Sequence, residues 1–120
     1  MSKVYGYCRT ASAEGGQIEE QCAIIKDYCK RNDMKIAKLF CDEGMSAHDL
    51  NRTSLNSMIN ILHRGDVVVT KDISRLARDP KKQEYIINKM KDIGVEIVCV
   101  EKVNNNMLSI ANWINQKLSN

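Results

Sequence analysis

Asp66-Val67-Val68-Val69-Thr70-Lys71 is the stretch that decides the fold. Three consecutive valines between turn-forming residues leave no polar face for water, so the segment reads as a strand buried on both sides. Such a strand belongs in a parallel sheet covered by helices, and its flanks supply both. Upstream, Lys3 to Cys8 reads as a strand, Gln17 to Arg31 as a helix, Lys35 to Cys41 as a strand, and Thr53 to His63 as a helix closed by Gly65. In the first helix Ile18, Cys22, Ile25 and Cys29 recur on one face, and Asn32 suits the left-handed residue that ends it. In the second, Leu55, Met58, Ile59 and Leu62 face inward.

Downstream, Asp79-Pro80 is a capping carboxylate followed by proline at the first helical position. That helix turns Tyr85, Ile86, Met90 and Ile93 inward and stops at Gly94; Val95 to Val100 forms a fourth strand. Strands alternating with helices predict a three-layer α/β fold, a mainly parallel four- to five-stranded sheet with helices on both faces. Residues 1–103 are expected to form one domain. Asn104-Asn105-Asn106 reads as a linker and Leu108 to Leu118 as a short last helix, where Trp113 is a packing residue.

With 120 residues, 43% hydrophobic and 28% charged, the chain has the size and composition of one soluble globular domain. No segment is apolar for long enough to span a membrane, and Met1-Ser2-Lys3 leads straight into a strand without a signal peptide, so the expected location is cytoplasmic. Cys8, Cys22, Cys29, Cys41 and Cys99 form no C-x-x-C pair and are odd in number. They read as buried thiols in a reducing compartment, in preference to disulfides or metal ligands. The net charge of +3 is mild, but Lys71 to Lys91 carries seven Lys/Arg against three Asp/Glu. A solvated helix face explains such a run more often than a phosphate-binding surface does.

In parallel sheets, function gathers at the carboxyl ends of the strands. The first strand delivers Arg9, the second Asp42, and the third Lys71-Asp72-Ile73-Ser74-Arg75-Leu76-Ala77-Arg78. If Ser74 to Asp79 turns helically, Arg75 and Arg78 share a face. Three guanidinium groups at adjacent strand ends suit an anion, and planar bidentate donors suit phosphate oxygens. The competing reading pairs each arginine with a neighbour such as Asp72 or Asp79. His48 and His63 are isolated, and Gly15-Gly16 before a helix is a weak phosphate signal.

Tyr7-Cys8-Arg9-Thr10-Ala11-Ser12 resembles the opening motif of the serine recombinases, the resolvase/invertase family, in which the aromatic-x-Arg-x-Ser serine is the nucleophile. Ile18-Glu19-Glu20-Gln21 is similar to the family's helix-opening segment. Asp42-Glu43-Gly44-Met45-Ser46-Ala47 resembles its Asp-x-Gly-x-Ser-Gly loop, with Ala47 in place of Gly. Arg52-Thr53-Ser54-Leu55 resembles its Arg-Pro-x-Leu without the proline. Lys71 to Arg78 is the strongest match, with Ser74 where large serine and transposon recombinases often carry Ser.

That resemblance implies attack of a serine hydroxyl on a DNA phosphodiester to form a phosphoserine link, with no metal, cofactor or small-molecule substrate. It implies that Arg9, Arg52, Arg75 and Arg78 bind and activate the phosphate, with Gln21, Asp42, Ser46 and Ser74 in support. It implies double-stranded DNA as partner and a homo-dimer or tetramer as the working assembly. Ala11 occupies the nucleophile slot, and a methyl group cannot form the covalent intermediate. Ala11 is either an introduced Ser→Ala change or a natural loss, and drift at Ala47 and Thr53 favours loss. Ser12 ranks last as a substitute nucleophile, because successive strand side chains diverge.

Family members continue into a long dimerisation helix and a DNA-binding module. Residues 104–120 are expected to be a truncated form of that helix, with no DNA-binding domain, so DNA binding should be weak and salt-sensitive. The expected function is a site-specific recombinase catalytic domain, inactive in cleavage as it stands. The alternative is a non-catalytic recombinase-like interaction protein. A phosphoacceptor domain built on Asp42 is disfavoured, because Arg9 stands where an acidic pair would be needed.

Overall fold

The computed structural model describes residues 2–10, 17–44 and 53–101. Four strands, β1 (Val4–Arg9), β2 (Ile36–Asp42), β3 (Val67–Thr70) and β4 (Glu96–Cys99), form one sheet in the order β2-β1-β3-β4. Every pairing is parallel. Three helices, α1 (Gln17–Arg31), α2 (Thr53–Ile61) and α3 (Pro80–Ile93), connect them. The expected three-layer α/β architecture holds, with four strands among the described residues.

Alternation along the strands divides the core between two faces. Tyr5, Tyr7, Phe40 and Val68 point to one side, where Leu55 and Met58 of α2 and Ile86, Ile87 and Met90 of α3 cover them. Cys8 and Val69 point to the other, where Ile25 and Cys29 of α1 cover them. Gly6 lies under α1, and a Cβ there would sit 2.3 Å from Leu39 Cδ2 and 3.1 Å from Ile25 Cγ2. That close approach is the reason the tyrosine-flanked position carries no side chain.

The cap of α3 is as the sequence predicts. The Asp79 side chain accepts from Lys81 N, Pro80 follows, and Gly94 closes the helix at φ 97° with its N–H donated to Lys91 and Met90 carbonyls. Four expectations are corrected. Tyr85 is 65% exposed, because Ile86, Ile87 and Met90 claim the buried face of α3 and leave it turned to solvent with Lys89 near its ring. The left-handed residue after α1 is Asp33 (φ 54°), one position beyond Asn32. Asn32 instead donates its side-chain amide to the Tyr28 carbonyl at 2.8 Å. Helix α2 ends at Ile61, short of His63, because Asp66 Oδ2 draws the His63 N–H into the turn at 2.8 Å. Finally, the run from Ser74 to Asp79 is not a helix: a 3-10 turn covers only Ile73–Arg75.

The cysteines are free, with Cys8 and Cys29 buried and the other three half-buried. No described helix is long and apolar enough to cross a membrane. The linker and last helix expected over residues 104–120, including Trp113, lie outside the described residues.

Candidate functional site

The chain leaves β1 toward β2 on one side and then crosses back past β1 to β3 on the other. Reversal of strand order opens a crevice at the carboxyl ends of β1 and β3, the position where open α/β sheets bind ligands. Arg9 ends β1, and the turn carrying Ser74 and Arg75 follows β3.

Arg9 is 1% exposed. Its Nε donates to the Arg75 carbonyl at 3.0 Å and its Nη2 to the Ser74 carbonyl at 2.8 Å. Arg75 returns the contact, Nη1 donating to the Arg9 carbonyl at 3.1 Å. The backbone of Arg9 is held from the other side by Gln21 of α1. The Gln21 Oε1 accepts from Arg9 N at 3.0 Å, and its Nε2 donates to the Arg9 carbonyl at 3.0 Å. A side-chain amide thus supplies both partners that a neighbouring strand would give a backbone, which explains a glutamine 2% exposed.

Asp72 sets the turn. It caps the 3-10 segment, accepting from Ser74 N at 3.0 Å and from the Ser74 hydroxyl, and its Oδ2 lies 3.6 Å from Arg75 Nε. Arg75 therefore pairs with a neighbour as the competing reading held, while its Nη1 reaches the β1 end. Arg78 lies beyond the turn and is exposed, with no ion pair recorded for it among the described residues. Lys71 is anchored between Glu20 (3.7 Å) and Glu101 (3.9 Å).

Asp42 ends β2 beside Arg9, its register partner. The carboxylate accepts from Tyr7 Oη at 2.8 Å, Ser54 N at 2.9 Å and Leu55 N at 3.0 Å. The last two are first-turn amides of α2, which have no intrahelical acceptor. Asp42 therefore caps α2 from a neighbouring strand and anchors the chain that enters it. Ser54 Oγ donates to the Cys41 carbonyl at 2.7 Å, and Thr10 N donates to the Asp42 carbonyl at 3.1 Å.

The structure thus brings Arg9, Gln21, Asp42, Ser74 and Arg75 to one end of the sheet. Ala11, Ser12, Ser46 and Arg52 lie outside the described residues. Sequence reasoning places Tyr7 in a motif but misses its bond to Asp42, and misses the structural side of Asp72; the Asp-x-Ser spacing of a side-chain cap signals the latter. The described cavity of about 480 Å³ lined by Lys3, Tyr5, Ile61, His63, Arg64 and Asp66 is at the opposite, amino-terminal edge of the sheet.

The family model for the resolvase N-terminal domain matches residues 4–114. A resolvase of Clostridium perfringens is 34% identical over 94 residues, covering 77% of this chain and 46% of its own length. The chain spans about half the length of the curated relatives it matches. Among solved structures, the N-terminal catalytic domain of TP901-1 integrase superposes with a TM-score of 0.74 at 19% identity, over 99% of this chain and 100% of that one. The C-terminal catalytic domain of ISC1926 TnpA, an IS607-like serine recombinase, gives a TM-score of 0.74 at 20% identity, over 96% and 80%. At these identities the superpositions speak for the fold.

Proposed function

The chain belongs to the resolvase family of serine recombinases, in its catalytic domain, and from that premise we propose a domain that engages a DNA phosphodiester but cannot cut it. The observation that carries the reading is the joining of Arg9 and Arg75 across the β1–β3 crevice, with Arg78 exposed just beyond. Guanidinium groups fixed by backbone carbonyls are preorganised donors, suited to the charge that builds on phosphate oxygens during transfer.

In the intact reaction, a serine oxygen at position 11 would form the new P–O bond as the bond to a deoxyribose oxygen breaks. The serine proton leaves, and the released deoxyribose oxygen takes one up. Ala11 offers no such oxygen, so the arginines hold a phosphate on which no transfer begins. Arg52 joins Arg9, Arg75 and Arg78 in holding the phosphate, Gln21, Asp42, Ser46 and Ser74 support the cradle, double-stranded DNA is the partner, and further copies of the chain complete the assembly.

A second reading, an interaction protein that retains the fold without the chemistry, is favoured by the burial of Arg9. Its Nε and Nη2 already serve the Arg75 and Ser74 carbonyls. Salt-dependent binding separates the two. A DNA-engaging domain binds short duplexes with affinity falling steeply with salt, and Arg78→Ala lowers the slope by about one phosphate contact. Duplex affinity that is absent at low salt, or indifferent to Arg78, selects the interaction protein.

A further inference from the structure

On the reverse face of the sheet from the arginines, Cys8, Cys22 and Cys41 converge. Cys8 and Cys41 are register partners on β1 and β2, and Cys22 comes down from α1. The three sulfurs lie within 4.8 Å of one another, with Cys8 Sγ and Cys22 Sγ 3.7 Å apart. Cys8 is fully buried, whereas Cys22 and Cys41 are half-buried and form the open side. Among the described residues this is the one group of three or more His, Cys, Asp or Glu side chains that meets a metal-site spacing.

We propose that Cys8, Cys22 and Cys41 form a three-sulfur site for a thiophilic divalent cation of the zinc class. A Zn–S bond of about 2.3 Å places sulfurs on a tetrahedral edge about 3.8 Å apart. The Cys8–Cys22 separation already has that value, and the widest separation exceeds it by about 1 Å at most. Sulfur ligands select Zn2+ and its soft relatives over Mg2+ or Ca2+. The fourth position is left to solvent, since the Asp42 carboxylate is turned to the opposite face and engaged there by Tyr7, Ser54 and Leu55.

Binding is balanced without redox change: three S–H bonds break, three protons pass to solvent, and three metal–sulfur bonds form. The surroundings are apolar, with Ile25, Leu39 and Val69 packed around the thiols. Burial raises the Cys8 and Cys41 thiols above their ordinary range.

Each ligand is a chain neighbour of a residue at the crevice: Cys8 of Arg9, Cys22 of Gln21, Cys41 of Asp42. An occupied site would clamp β1, β2 and α1 where those side chains emerge. No C-x-x-C spacing announces it, because the three cysteines are brought together by strand register and helix packing.

The test is a Co2+ titration of the reduced, oxygen-free chain, followed by Zn2+ displacement. One equivalent should produce a sulfur-to-cobalt charge-transfer band with intense tetrahedral visible bands, which Zn2+ abolishes. Cys22→Ser, at a half-buried helix position, should weaken binding at least about tenfold with the far-ultraviolet circular dichroism unchanged; Cys41→Ser should do the same. Cys29→Ser should leave the titration unchanged. A titration without charge-transfer bands, with weak octahedral bands only, or with bands undiminished in Cys22→Ser overturns the proposal.

Discussion

Arg9 and Arg75, 66 residues apart, hold each other's backbone. Arg9 Nε donates to the Arg75 carbonyl at 3.0 Å while Arg75 Nη1 donates to the Arg9 carbonyl at 3.1 Å. The two strand ends that flank the crevice are therefore fixed by the cations expected to serve a phosphate. Arg75→Ala removes one side of the clasp and leaves Asp72, whose side chain is 4% exposed, without its cation. The expected loss is about 2 kcal/mol of unfolding free energy, read from urea denaturation. Arg75→Lys should not restore it, since an ammonium cannot keep Asp72 and the Arg9 carbonyl together. An unchanged urea midpoint in Arg75→Ala would show that the clasp is incidental.

Gln21→Leu keeps the volume of the side chain but removes the side-chain acceptor of the Arg9 N–H and one of two donors to the Arg9 carbonyl, which retains Arg75 Nη1. Losing that acceptor at a buried N–H, with the carbonyl bond weakened beside it, should cost about 1–3 kcal/mol. A drop below roughly 1 kcal/mol, the cost of an ordinary hydrogen bond, would mean that water or another group takes over.

Asp42→Ala should destabilise by about 2–3 kcal/mol, because first-turn amides of α2 and the Tyr7 hydroxyl lose their acceptor together. Tyr7→Phe alone should cost about 1 kcal/mol, and the double variant less than the sum of the two singles. Strict additivity in that cycle would contradict the shared carboxylate.

Alkaline stability follows from Cys99, whose thiol is pushed up from 9.0 to about 12 by burial and, second, by the Asp72 charge. The folded state holds the proton more tightly than the unfolded chain, so the contribution is complete below pH 9.0 and is lost as pH rises toward about 12. Unfolding free energy should fall across that window, and Cys99→Ala should flatten the decline. Equal slopes in parent and variant would assign the loss elsewhere.

Much of the fold was legible because local rules and tertiary demands agreed. Val67 to Val69 could only be a doubly covered strand, and Asp79-Pro80 with Gly94 marked both ends of α3. Tyr85 failed because an aromatic beside two isoleucines competes for one face and loses. Arg9, Asp42 and Arg75 were visible as strand-end polar residues, but their bonds were not: each depends on register between strands or on the position of a helix start. The thiol cluster was illegible for the same reason.

Covalent capture of DNA tests whether the phosphate cradle is retained while the nucleophile at position 11 is missing. An Ala11→Ser chain fused to a DNA-binding module is incubated with a duplex whose cleavage traps the protein–DNA link, alongside the parent fusion. The expected result is a phosphoserine adduct at position 11 with the variant and none with the parent. An adduct in the parent would contradict it by showing another nucleophile such as Ser12, and the absence of adduct in a folded, DNA-bound variant would contradict the retained cradle.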